Sequence, residues 1–255
     1  MSSRNRLMRQ LGSVAVAVVL AGMILPSRAA AAVYSPPHAH LICSAFPGGL
    51  DTTSECVVAA KQLSTAGYTT FVNNDISIDT VMGPDFAQSD AILMISGHGN
   101  TGAISTYSSR YGVTVLSTTA SYAALYHCGF ALTTCDCNVP NACFTNYTFA
   151  QVHRIRFVYF DGCYTAQAPS YLLQTSAKAL GVDSSLGFSA QTTQTGMNTY
   201  TSYLFLLAAV NGHSVLDSAN IAQDKVFAQY GTYYGTDSAV LFGANVTLYS
   251  PGYGS

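Results

Sequence analysis

Ile155-Arg156-Phe157-Val158-Tyr159-Phe160-Asp161-Gly162-Cys163 is a short apolar run that stops on an acid, a glycine and a thiol. Ala91-Ile92-Leu93-Met94-Ile95-Ser96-Gly97-His98-Gly99-Asn100 is built the same way and stops on a histidine between glycines. A continuous apolar run bounded by turn residues reads as a strand buried on both faces, the kind that fills α/β sheets. Such sheets place their chemistry just beyond the carboxyl ends of their strands. His98 and Cys163 are therefore expected to emerge on one edge of one sheet. A base and a thiol delivered to one place are the minimal equipment of a cysteine nucleophile.

Outward from these runs the periodicity alternates between strand and helix. Strands are expected at 40–46, 68–73, 91–96, 155–160, 186–190 and 239–248. Helices are expected at 52–66, 120–126, 168–180, 199–211 and 215–230. The first of these has apolar positions at Val57, Val58, Ala60 and Leu63, the third closes on Gly181, and the last opens on Ser214 as its N-cap. A β-hairpin fits 103–118, with Tyr111-Gly112 near its turn. No internal repeat interrupts the alternation.

Residues 1–32 read as a secretory signal peptide: Arg4, Arg6 and Arg9, then an apolar run from Val14 to Leu25, then small residues at Ala29 to Ala32. Retention of that segment as a membrane anchor is the alternative. With the leader removed, residues 33–255 form a single α/β domain that is exported, secreted or periplasmic, with no stable membrane insertion. Four of the ten basic residues lie in the leader, leaving six against twelve acids and a net charge near −6. That balance argues against nucleic acid as a partner, which wants a basic face, and is compatible with cationic ligands.

Seven cysteines are present. In an exported protein an even set pairs and an odd one is left over. Cys43 lies in a candidate strand and Cys56 early in the next helix, so these two can pair. Cys128, Cys135, Cys137 and Cys143 fall in a Cys-, Asn- and Thr-rich insertion at 128–147 and can pair among themselves in any of three ways. A zinc site built from those four, with His127, is the alternative for the cluster. Cys163 remains as the free thiol. The motifs ask for no cofactor and no metal.

The ordered set Ser96-Gly97-His98-Gly99, Asp161-Gly162-Cys163, Leu186-Gly187-Phe188 and Gly212-His213-Ser214-Val215 resembles the caspase–hemoglobinase superfamily of cysteine peptidases (clan CD), nearest in pattern to gingipain, CHAT and metacaspase-like domains. The resemblance runs over about residues 38–248. It implies a caspase-like three-layer α/β sandwich, with a mostly parallel central sheet of about six strands and helices on both faces. It also implies a cysteine endopeptidase in which Cys163 attacks the scissile carbonyl and His98 transfers protons. Backbone N–H groups of Gly99 and Cys163 then form the oxyanion hole. The residue two before the nucleophile looks into the pocket for the side chain preceding the cut. Asp161 there implies cleavage of peptide or protein substrates after Arg or Lys. Tyr164-Thr165-Ala166 departs from the small turn many members have after the cysteine, and the Cys-rich insertion is no family feature.

Blander roles compete with these. Asp161 before Gly162 can cap a turn, and a buried cysteine is usually inert. A caspase-like module that binds peptide without cleaving it is the alternative function. Gly212-His213-Ser214 lacks the final glycine of a serine-hydrolase elbow and the strand before it, so it reads as a turn between helices.

Overall fold

All five residues of the strand Phe157–Asp161 are buried, which is why its sequence is apolar on both faces. In the computed structural model of the chain, residues 37–74, 90–109, 112–117 and 155–248 are described, all within one compact unit, Pro36–Ser255. The leader, the helix expected at 120–126 and the insertion with Cys128, Cys135, Cys137 and Cys143 lie outside the described residues.

The described elements run β1 (His38–Ile42), α1 (Thr53–Thr65), β2 (Thr69–Asn73), β3 (Asp90–Ser96), β4 (His98–Asn100), β5 (Ala103–Ser108), β6 (Gly112–Ser117), β7 (Phe157–Asp161), α2 (Leu172–Ala179), β8 (Ser184–Phe188), α3 (Gln194–Phe205), α4 (Val215–Tyr230) and β9 (Ala239–Gly243). The central sheet has six strands in the order β2-β1-β3-β7-β8-β9. Its pairings are parallel except for the antiparallel edge strand β9. A second, antiparallel sheet of three strands, β4-β5-β6, follows β3 directly.

Alternation along the strands splits the core in two. Ala39, Leu41, Met94, Phe157, Tyr159, Leu186 and Phe188 pack with Cys56, Ala59 and Leu63 of α1 and with residues of α3 and α4. Ile42, Leu93, Ile95, Val158 and Phe160 pack on the other face with Leu173 and Ala177 of α2 and Ile104 of β5. Helices thus cover both faces of a mostly parallel sheet, the three-layer α/β arrangement expected. Each fully buried large side chain contributes about 1.5–3 kcal/mol to this packing.

Several boundaries differ from the sequence expectation, for local reasons. β1 stops at Ile42, because the N–H of Ser44 turns to the Thr52 hydroxyl at 3.0 Å instead of the ladder. The stripe that α1 buries is Glu55, Cys56, Ala59 and Leu63, while Val57 is exposed. α2 begins at Leu172 rather than at 168, since Tyr171 sits at φ 45°, outside the helical region. α3 begins at Gln194, five residues before the apolar signal starts, and passes into a π-helical turn at Leu206–Val210. β9 ends at Gly243, where φ is 98°. α4 has the expected bounds, with the Ser214 side chain accepting from the Asp217 N–H. Strand β4 was not expected; it contains His98.

Candidate active site

Ser96 and Asp161 are register partners at the ends of β3 and β7. The Gly97 N–H donates to the Asp161 carbonyl at 3.1 Å and carries the pairing one step further. His98 and Cys163 each follow two residues after that pair, so the parallel ladder itself delivers them to one edge of the sheet. The two chain segments then touch. A β-carbon built on Gly99 would stand 2.6 Å from the Cys163 nitrogen and 2.5 Å from the Gly162 carbonyl carbon. One built on Gly162 would stand 2.9 Å from both the nitrogen and the α-carbon of Gly99. Both positions need glycine because two backbones meet there.

Gly97, His98, Asp161, Gly162 and Cys163 line one open cleft, whose other walls include Thr52 and Glu55 from the start of α1 and Gln191, Thr192 and Gln194 from the turn into α3. Cys163 is free and partly exposed. Its sulfur accepts from the Thr192 N–H at 3.4 Å and lies 3.6 Å from the Thr192 carbonyl oxygen. His98 stands at the exposed rim with its ring 4.6 Å from that of Phe46. Partial burial holds the His98 imidazole below its ordinary value, which favours the neutral form, able to accept a proton.

Asp161 is 4 % exposed and Glu55 is 1 % exposed. The Ser96 hydroxyl donates to the Asp161 carboxylate at 2.8 Å, and the Ser54 hydroxyl donates to Glu55 at 2.9 Å. Burial, and then the neighbouring charge of Glu55, push the Asp161 carboxyl up to about 8. Burial raises Glu55 as well. Beneath them, burial and the nearby Asp161 raise the hydroxyls of Tyr159 and Tyr200. Among the described residues no Lys or Arg lines the cleft. Two buried carboxyls thus face the same cleft.

The sequence marked His98, Gly99, Asp161 and Cys163, and the fold brings all four together. It did not mark Glu55 or Thr192. Glu55 lies on the apolar stripe of α1, at i and i+4 with Ala59, where a buried acid breaks the pattern; that break was the available signal. Thr192 lies in a polar run with none. Cys43 and Cys56 are joined by a disulfide with a Cα–Cα separation of 6.0 Å, which ties the end of β1 to α1 one residue after Glu55. Among the described residues no group of three or more His, Cys, Asp or Glu is placed to hold a metal, and no helix is long and apolar enough to cross a membrane.

No family model matches the chain, and no curated protein matches it in sequence. Solved structures do. The Arg-specific cysteine proteinase gingipain R superposes with a TM-score of 0.53 at 14% identity, over 83% of this chain and 47% of that one. The complex of Porphyromonas gingivalis RgpB pro- and mature domains gives 0.51 at 13% identity, over 83% and 48%. The chain thus spans about half the length of the gingipain chains it matches. At this identity the likeness speaks for the fold alone, the mostly parallel α/β sheet with helices on both faces that the chain shares with the gingipain structures.

Proposed function

We propose that the protein is an exported cysteine endopeptidase that cleaves after Arg or Lys, with Cys163 as nucleophile and His98 as its proton-transfer partner. The observation that supports this is the contact of Gly99 with the Gly162–Cys163 backbone beside a cleft that His98, Cys163 and the two buried carboxyls all line.

The chemistry follows from the placement. The Cys163 thiol gives its proton to the His98 imidazole, and the sulfur attacks the carbonyl carbon. The carbonyl oxygen takes the negative charge. The N–H groups of Gly99 and Cys163, adjacent across the backbone contact, donate to it. Loss of one such donor typically costs about 3–4 kcal/mol of barrier. When the C–N bond breaks, the imidazolium returns the proton to the leaving amine. Water then attacks the thioester, releasing the new carboxylate and restoring the thiol. The positive side chain before the cut occupies the pocket of Asp161 and Glu55, where a charge-assisted hydrogen bond is strong because water is excluded. The disulfide at Cys43–Cys56 and the leader pattern fit an oxidising, extracytoplasmic site of action.

The test is covalent labelling by a peptidyl-arginine probe with a thiol-reactive warhead. Labelling is expected in the folded protein, abolished by Cys163→Ala and weakened by His98→Ala. Absence of labelling in folded, reduced protein would overturn the peptidase reading in favour of a cleft that binds peptides without cleaving them.

A further inference from the structure

We infer that Thr192 is a positioning residue for the Cys163 sulfur, held in place by the Tyr234-Gly235 turn that packs behind it. The inference deepens the proposed function and rests on Cys163 being its nucleophile.

Three groups of one residue surround the sulfur. The Thr192 N–H donates to it at 3.4 Å, the Thr192 carbonyl oxygen lies at 3.6 Å and the Thr192 hydroxyl at 3.7 Å. A thiol has a weak proton to give and a thiolate only accepts. The carbonyl therefore suits the S–H form, while the N–H and the hydroxyl suit the S⁻ form. The sulfur keeps a partner before and after its proton leaves and need not swing away between states. Nucleophile placement of this kind matters, since small displacements from an attack geometry cost large factors in rate.

Thr192 is itself clamped. It follows β8 and stands two residues before α3 begins. The Ser189 N–H donates to the Ser238 carbonyl at 2.9 Å, and the Thr193 N–H to the Tyr234 carbonyl at 3.1 Å. Between these anchors Gly235, at φ 81°, lies directly against the Gln191–Thr192 backbone: a β-carbon there would stand 3.0 Å from the Thr192 α-carbon and would run into the Gln191 carbonyl. A turn more than seventy positions after the thiol therefore sets the backing on which the thiol rests.

The test uses Thr192→Val, which keeps the shape and deletes the hydroxyl, Thr192→Ser, which keeps the hydroxyl, and Gly235→Ala, which displaces the strap. Two readouts are taken on folded protein: the rate of Cys163 alkylation by iodoacetamide, which needs no peptide, and kcat and KM on an arginyl peptide. Thr192→Val is expected to slow alkylation about three- to tenfold and to lower kcat by a similar factor with KM unchanged, as loss of one weak hydrogen bond to an ionised group should. Thr192→Ser is expected to restore both. Gly235→Ala, with its folding checked by circular dichroism, is expected to slow alkylation at least as much. Wild-type alkylation in Thr192→Val, or failure of Thr192→Ser to rescue, overturns the inference. If wild-type protein turns over no peptide, the proposed function fails, and the alkylation rates alone decide the role of Thr192.

Discussion

Gly99 lies flat against Cys163, with room for a hydrogen and none for a carbon: a β-carbon at Gly99 would approach the Cys163 nitrogen to 2.6 Å. Gly99→Ala must therefore push the His98 strand off the Gly162–Cys163 turn. A displacement near 1 Å can cost about 10²-fold in rate, so kcat/KM on an arginyl substrate is expected to fall by at least that factor. Gly49→Ala, where the nearest atom would be Phe46 Cβ at 4.0 Å, is the control and is expected to leave the rate unchanged. Equal rates in both variants would remove the contact from the mechanism.

The paired carboxyls make a second prediction. Asp161→Asn and Glu55→Gln keep shape and remove charge. Loss of a hydrogen bond to a charged group is worth about 1.5–3 kcal/mol, so each variant is expected to raise KM for arginyl substrates about 10- to 100-fold. Steady-state kinetics on arginyl and on uncharged substrates separates the pocket from the thiol chemistry. An unchanged ratio between the two substrates in both variants would reject a pocket role.

Acid should compete with the substrate. Asp161, pushed up to about 8, holds a proton in the empty cleft at neutral pH. A cationic side chain binds the ionised form, so it must displace that proton. KM for an arginyl substrate is expected to rise as pH falls below about 8, and benzamidine is expected to bind more weakly over the same range. A flat benzamidine affinity from pH 6 to 9 would contradict this.

Stability carries the same proton with its own sign. The Asp161 carboxyl is raised above its unfolded value of about 4. Between the two values the folded chain holds a proton that the unfolded chain has lost. Its contribution to stability is fully present below about pH 4 and is lost as pH rises through about 8. Glu55, also raised, acts in the same direction. Thermal melts of Asp161→Asn are expected to decline less between pH 4 and 8 than those of the wild type. Parallel curves would show that Asp161 ionises freely in the fold.

Removal of the Cys43–Cys56 bridge releases a loop of sequence separation 13. Loop-closure entropy of that size is worth about 3 kcal/mol. Cys43→Ala with Cys56→Ala is expected to lose about that amount in urea unfolding and to raise KM more than it lowers kcat, because Glu55 adjoins Cys56.

What the sequence made legible follows the ladder. The strands that end at Ser96 and Asp161 are buried on both faces, so hydrophobicity alone announced them, and parallel register then carried His98 and Cys163 to the same edge. Glu55 escaped notice because apolar periodicity is blind to an acid that replaces one member of a buried stripe. Thr192 escaped because it lies in a polar run, where nothing in the sequence separates one hydroxyl from its neighbours. The short strand β4 escaped because His98-Gly99-Asn100 has no strand-forming composition and is held by pairing with β5. The start of α3 was misplaced because Gln194, Thr195 and Asn198 are polar, although Gly196 and Met197 between them are buried.

The two halves of the cleft hang from different parts of the molecule. Imidazole and thiol extend from β3 and β7, the middle of the sheet, while the Gln191–Gln194 wall hangs between β8 and α3 and is braced by a surface turn. Openings short of global unfolding start where few buried contacts hold the chain. Under mild denaturant the wall should fray while the middle of the sheet stays closed, and the sulfur should lose its backing and slow before the cleft loses its preference for one kind of side chain.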